Sequence, residues 1–310
     1  MSESRRKKLQ MLLRSASGGR ITTAAALLRG GGPAGGSLAS GGQAGRLPAT
    51  PRELLTIERA CPGREQAVRA GSADARCWLV CRSLAEAAPD CAEIATRFRN
   101  VLCGARQNFD ELEASAALCR AANMGPEDVL FMDTETCGLA GSAIFLVGLM
   151  FFRPPAGQGG PAELVFKQYL ARSYAEEPAI LAAFAYQLSS TGVLVTFNGK
   201  AFDMNMIRER CAFHGIDLPD VPPHLDLLHE SRRRWRGQVP NCRLQTLESL
   251  LCGRRRVGDI PGADIPQEYH RFVKTGDARR MRDILHHNLL DLLTLAELLC
   301  AIMTGCDPLP

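Results

Sequence analysis

The residues of this chain with the clearest chemistry are two carboxylates and the partners that follow them. Asp133-Thr134-Glu135-Thr136 closes the apolar run 129–132 and leads into Cys137-Gly138-Leu139. On a strand, positions i and i+2 share a face, so Asp133 and Glu135 point the same way. Two acids on one face are costly to bury unless something positive lies between them. A hard divalent cation, which takes oxygen ligands, is the usual solution. An Asp-x-Glu pair alone is weak, but here the later chain supplies partners. Asn198-Gly199-Lys200-Ala201-Phe202-Asp203 follows the strand-like run 193–197 and opens a helix-like stretch to about residue 214. Asp203 therefore falls near the C-terminal end of a strand, where open α/β sheets hold their sites. His287 and Asp291 are four apart in an amphipathic stretch, 278–303, and share one helical face.

These motifs, with His224-Leu225-Asp226-Leu227-Leu228 and Asp259-Ile260-Pro261-Gly262, resemble in wording and order those of the YprB-type RNase H-like family, within the DEDD superfamily of exonucleases. The resemblance spans about 129–299. It implies a two-metal nuclease, with Asp133, Glu135, Asp203 and Asp291 as ligands of two Mg²⁺ or Mn²⁺ ions and Asp133 bridging them. Two ions about 3.5–4 Å apart stabilise both the attacking and the leaving oxygen of a phosphodiester. The resemblance also implies 3′→5′ release of nucleoside 5′-monophosphates from single-stranded or frayed DNA or RNA. His287 is the candidate general base, since imidazole titrates near neutrality. In similar enzymes the base is a histidine five residues before the last aspartate or a tyrosine four before it. His286 has the first spacing and His287 the second; the His287-Asn288 pair favours His287.

Further residues are candidates for the nucleic acid itself. Thr134, Gly138 and Leu139 would lie against the terminal nucleotide, and Asn198 and Lys200 beside a phosphate. Ordinary packing is the rival for Leu139, and a solvated lysine the rival for Lys200. Arg233 and Arg234, within Arg232-Arg233-Arg234-Trp235-Arg236, and the run Arg254-Arg255-Arg256 would grip the backbone, with Trp235 stacking on a base. A plain solvated face is the rival for both runs. His224 and Asp226 read as a buried, hydrogen-bonded pair that supports the site.

Positioning these groups requires an α/β fold: an RNase H-like mixed sheet flanked by helices. Strand-like runs fall at 129–133, 144–152 and 163–170, with turn signals at Gly141 and 154–161 that make them a meander. Helix 177–188, strand 193–197, helix 203–214 and a short strand near Leu225 follow. Helices near 244–251, 267–274 and 278–303 close a domain spanning 128–303. Residues 53–127 read as a small accessory α+β region, with a strand at 76–81 and helices at 90–101 and 110–124. Residues 1–52 read as a basic tail, helical at its start. Its stretch 16–45 holds ten glycines and too little apolar surface to offset the entropy of ordering, so a disordered linker is expected. A transit peptide is the alternative for this tail.

Composition narrows the class. The hydrophobic fraction of 46% and charged fraction of 23% are ordinary for a globular protein. No uninterrupted apolar run approaches the roughly 20 residues that span a bilayer, so no membrane partner is expected. Twelve cysteines include no Cys-x-x-Cys pair, which suggests reduced thiols and a cytoplasmic setting. The net charge of +4 is segregated: residues 1–52 carry nine Arg or Lys against one acid, and 231–282 carry thirteen against five. Carboxylates flanked by a basic segment suit a polyanion. The alternatives to an exonuclease are a structure-dependent endonuclease on the same fold and a catalytically inactive nucleic-acid-binding protein.

Overall fold

A computed structural model describes residues 53–91, 93–104, 115–139, 141–153 and 163–305. The tail expected at 1–52, the first part of the helix expected at 110–124 and the turn at 154–161 lie outside the described residues. Apart from Glu53, the described residues belong to one compact unit. Its strands are β1 (Arg64–Ala70), β2 (Ala73–Ser83), β3 (Val129–Thr136), β4 (Ile144–Arg153), β5 (Glu163–Leu170), β6 (Val193–Thr196) and β7 (His224–Asp226). They form a single mixed sheet in the order β1-β2-β5-β4-β3-β6-β7. The β3–β4, β4–β5, β2–β5 and β1–β2 pairs are antiparallel; β3–β6 and β6–β7 are parallel. The expected RNase H-like fold is thus present. The region 53–127 supplies β1 and β2, which extend that sheet through pairing of Trp78–Ser83 with β5.

The helices are α1 (Glu93–Gly104), α2 (Ala116–Ala122), α3 (Glu177–Leu188), α4 (Asp203–His214), α5 (Leu227–Trp235), α6 (Ile265–Thr275) and α7 (Arg279–Met303). They cover both faces of the sheet, which is why β4 is buried almost end to end rather than at alternate residues. Strand β3 distributes its side chains with period two. Leu130 and Met132 join the apolar cluster containing α3 and α4, while Val129 and Phe131 join the cluster containing most of α7. Continuing that alternation sends Asp133 and Glu135 toward α7 and Thr134 toward α4. A register shift between Glu135 and Thr136 interrupts the β3–β4 ladder there, and such bulges re-aim side chains.

Two elements depart from the expected ones. The Arg-rich run lies on α5, whose buried Leu227, Leu228, Ser231 and Trp235 recur at helical spacing. The helix expected at 244–251 is one α-turn, Leu244–Leu247, followed by a π-turn, Glu248–Cys252, that ends at Gly253 in the left-handed region. By length and composition α7 could cross a bilayer, but 78% of its most apolar window is buried within the protein. It is the central helix of the core.

Candidate active site

Asp133 and Glu135 stand at the C-terminal end of β3, Asp203 opens α4 just past the end of β6, and Asp291 approaches from α7. Asp203 is buried, while the other three keep partial access to solvent. The Asp203 side chain does not cap its helix. It accepts a 2.5 Å hydrogen bond from the Thr134 hydroxyl, across the β3–β6 junction. The loop between β6 and α4 is drawn tight by Asp226. The Asp226 carboxylate accepts from the backbone N–H of Asn198 (2.8 Å), Lys200 (3.1 Å) and Leu228 (3.1 Å). Asn198 has φ of 64°, a left-handed conformation that asparagine tolerates better than most residues. His224 and Asp226 do not pair with each other; His224 bonds the Thr196 hydroxyl at 2.8 Å, and burial pushes its imidazole down to about 4.

The four carboxylates sense one another. Burial raises Asp133 well above the usual carboxylate range, and the nearby charges of Asp291, Glu135 and Asp203 raise it further. Glu135 is raised by burial, then by Asp291 and Asp203. Burial brings Asp203 up to about 6, against the opposing pull of Thr134. Asp291 is raised by burial and partly relieved by Arg256 and His287. Crowded acids with raised values are what a cation site looks like before its charge is neutralised. Yet among the described residues no three Asp, Glu, His or Cys side chains are grouped so as to hold a metal ion. Each of three acids has a protein donor: Asp203 accepts from Thr134, Asp133 from Asn288, and Asp291 from Arg256. The oxygen-only donor set fits Mg²⁺ or Mn²⁺ in chemistry. Adding Mg²⁺ or Mn²⁺ at about 100 times its Kd should stabilise the protein by roughly 2.7 kcal/mol, or about 5–10 °C in Tm. Melting with and without chelator checks this, and an unchanged Tm at millimolar metal would count against the ligand set.

His287 is buried beside this group. Its Nε2 lies 3.5 Å from an Asp291 carboxylate oxygen, and its Nδ1 lies 2.9 Å from Asp259. Its neighbour His286 is exposed and lines a separate cavity with Arg82 and Arg282. Asp259 also accepts from Arg256 at 3.2 Å, and the same guanidinium reaches Asp291 at 2.5 Å and Glu248, on the π-turn, at 2.6 Å. Arg254 pairs with Glu248 and Glu297. Arg254 and Arg256 are therefore largely buried and internally paired rather than set out to grip a backbone. Sequence reasoning gave no separate role to Asp259, read Arg256 as a residue that grips the backbone, and used Asn288 only to choose between the two histidines. Asp259 and Asn288 nevertheless stand inside the motifs that carry the family resemblance, and Asn288 is a polar residue on an otherwise apolar helix face.

A cavity of about 890 Å³ opens beside Asp133 and Asp291, and its rim includes Asn198, Arg232, Arg236, Asn241 and Arg243. Of the arginine run, Arg232 on the last turn of α5 and Arg236, just past its end, line this cavity. Arg233 and Arg234 do not line it; Arg233 lies near Glu230, and Arg234 lies over the Trp235 ring. Trp235 is fully buried, so it packs in the core and cannot stack on a base. Leu139 is 79% exposed, and neither it, Gly138 nor Lys200 lines the cavity. Thr134 is engaged with Asp203.

Residues 130–303 match the model of the RNase H superfamily. Over 205 residues the chain is 34% identical to YprB of Bacillus subtilis (strain 168), a protein described as uncharacterized; the match covers 62% of this chain and 48% of that one. The chain thus spans about half the length of that curated relative. Among solved structures, the zinc-ion-bound E. coli ExoI–ssDNA complex aligns with 52% of this chain and 42% of its own at 18% identity and a TM-score of 0.27, too slight a likeness to bear on function.

Proposed function

We propose that this chain, which belongs to the RNase H superfamily and has its nuclease fold, is a metal-dependent 3′→5′ exonuclease that releases nucleoside 5′-monophosphates from single-stranded or frayed DNA or RNA. The observation that carries the reading is the meeting of Asp133, Glu135, Asp203 and Asp291 at one end of the sheet, beside His287 and an arginine-rimmed cavity. The four acids would hold two divalent ions, Mg²⁺ or Mn²⁺. Bound there, the ions would supply Lewis-acid stabilisation of the phosphodiester. His287 accepts the proton of the attacking water at Nε2, while Asp259 fixes the ring through Nδ1. Arg232, Arg236 and Arg243 hold phosphates at the cavity rim. The 3′→5′ polarity rests on the family resemblance alone.

Incubation with end-labelled single-stranded DNA and RNA in Mg²⁺, Mn²⁺ or EDTA tests this reading. Mononucleotides in metal and none in EDTA support it. Oligonucleotide products point to the endonuclease. Binding without cleavage in any metal makes the chain a nucleic-acid-binding protein, a reading favoured by the Arg256 guanidinium seated between Asp259 and Asp291.

Arg232→Glu with Arg236→Glu should weaken binding and flatten its salt dependence by about 0.7 in the log–log slope for each phosphate no longer neutralised. Arg233→Glu, outside the cavity, should change the slope far less. Equal slopes for the two variants would remove the rim from the binding surface.

A further inference from the structure

The polar interior behind Asp133 is not used by any step above. Asn288 and Gln168 are each fully buried, on α7 and β5 respectively. The Asn288 amide nitrogen donates to the Asp133 carboxylate at 2.8 Å and to the Asp133 carbonyl at 3.3 Å. Its oxygen accepts from the Gln168 amide at 2.9 Å, and Gln168 also donates to the Leu285 carbonyl at 2.7 Å. The Gln168 oxygen in turn accepts from Arg82, on β2, at 3.3 Å. The two ends fix the direction of this chain. A guanidinium only donates, and the carbonyls of Leu285 and Asp133 only accept, so each amide has one satisfactory orientation. The sheet makes room for it at Gly148, the β4 residue opposite both Asp133 and Gln168. A Cβ there would stand 1.9 Å from the Asn288 oxygen, so any other residue would expel the amide.

We propose that Asn288, held in one orientation by Gln168 and Arg82, is the positioning residue for Asp133, and that Gly148 is glycine to admit it. A carboxylate on a strand end is otherwise free to rotate. The Asn288 N–H holds one Asp133 oxygen and would leave the other available to a cation, as outer partners of metal ligands commonly do. Arg82 comes from the accessory hairpin, so the relay ties β2 to the site and gives that region a part in the chemistry. The inference rests on the reading of Asp133 as a metal ligand.

Mn²⁺ binding followed by electron paramagnetic resonance, together with kcat and KM on a labelled oligonucleotide, tests it on the full chain. Asn288→Ala should weaken Mn²⁺ binding and lower kcat by about 10–100-fold, with KM for the oligonucleotide unchanged. Gly148→Ala should reproduce this effect, and combining the two should add nothing, because the methyl group introduced at position 148 then meets empty space. Gln168→Met keeps the volume but leaves the Asn288 oxygen without its donor; it should show the same loss in smaller degree, and it decides the matter if the other variants fail to fold. Wild-type Mn²⁺ affinity and kcat in a folded Asn288→Ala or Gln168→Met protein would overturn the relay, as would full additivity of Gly148→Ala and Asn288→Ala. Failure of the wild type itself to bind Mn²⁺ would instead overturn the assignment of Asp133 as a ligand, and the relay with it.

Discussion

Asp203→Asn and Asp133→Asn should each abolish turnover while leaving the fold intact. Both changes keep the shape of the side chain and remove one unit of negative charge from the ligand set. The loss should exceed the roughly 10–100-fold that removal of an outer partner costs. Stability should move the other way. Burial holds the Asp203 carboxyl at about 6, above the usual carboxylate value near 4. A group raised in the folded state binds its proton more tightly there than in the unfolded chain. Its contribution therefore favours folding at low pH and is lost as pH rises from about 4 through about 6. In EDTA at pH 7, Asp203→Asn should thus melt on the order of a few °C higher than wild type, and the gap should close near pH 4. The Asn amide oxygen can still accept the Thr134 hydroxyl, so that hydrogen bond survives. Wild-type turnover in either variant at saturating metal would remove these residues from the site. A lower Tm in EDTA would mean that the carboxylate is needed by the fold rather than tolerated for function.

Much of this site was legible because its chemistry depends on order along the chain. Asp133-x-Glu135 at a strand end, Asp203 at the next helix start and Asp291 on the last helix are spacing statements, and period-two and period-3.6 geometry turns them into faces. The β3–β4–β5 meander and α3, α4 and α7 were legible for the same reason: long apolar runs with clear breaks. What escaped was set by packing across the sheet. Nothing in Arg232-Arg233-Arg234-Trp235-Arg236 says which arginine faces the cavity until Trp235 is seen to be the buried anchor of α5. Nor does Arg254-Arg255-Arg256 reveal that Glu248, on the π-turn just before it, holds two of its members inward. Gly148 reads as an unremarked residue of an apolar strand, and only the depth of Asn288 opposite explains it. Strand β1 carries a half-exposed, mixed pattern that periodicity does not separate from loop.

His287 and His286 are adjacent, and on a helix adjacent side chains diverge by about 100°. The structure seats them in different surroundings: His287 between Asp259 and Asp291, His286 at the rim of a cavity shared with Arg82 and Arg282. If His287 is the base, His287→Ala should lower kcat by about 10²–10⁴-fold, while His286→Ala should stay within a few-fold of wild type. Metal affinity separates this loss from damage to the ligand set. His287 is assigned to the proton rather than to the ions, so Mn²⁺ binding in His287→Ala should stay near wild type, in contrast with Asp291→Asn. Asp259→Asn should fall between the two histidine variants. It keeps a neutral acceptor for Nδ1 but loosens Arg256, which Asp259 also holds. The reverse ranking of the histidines would move the base to the five-residue spacing. Small, equal effects would mean that no imidazole on α7 takes the proton, leaving His287 as a buried strut between Asp259 and Asp291.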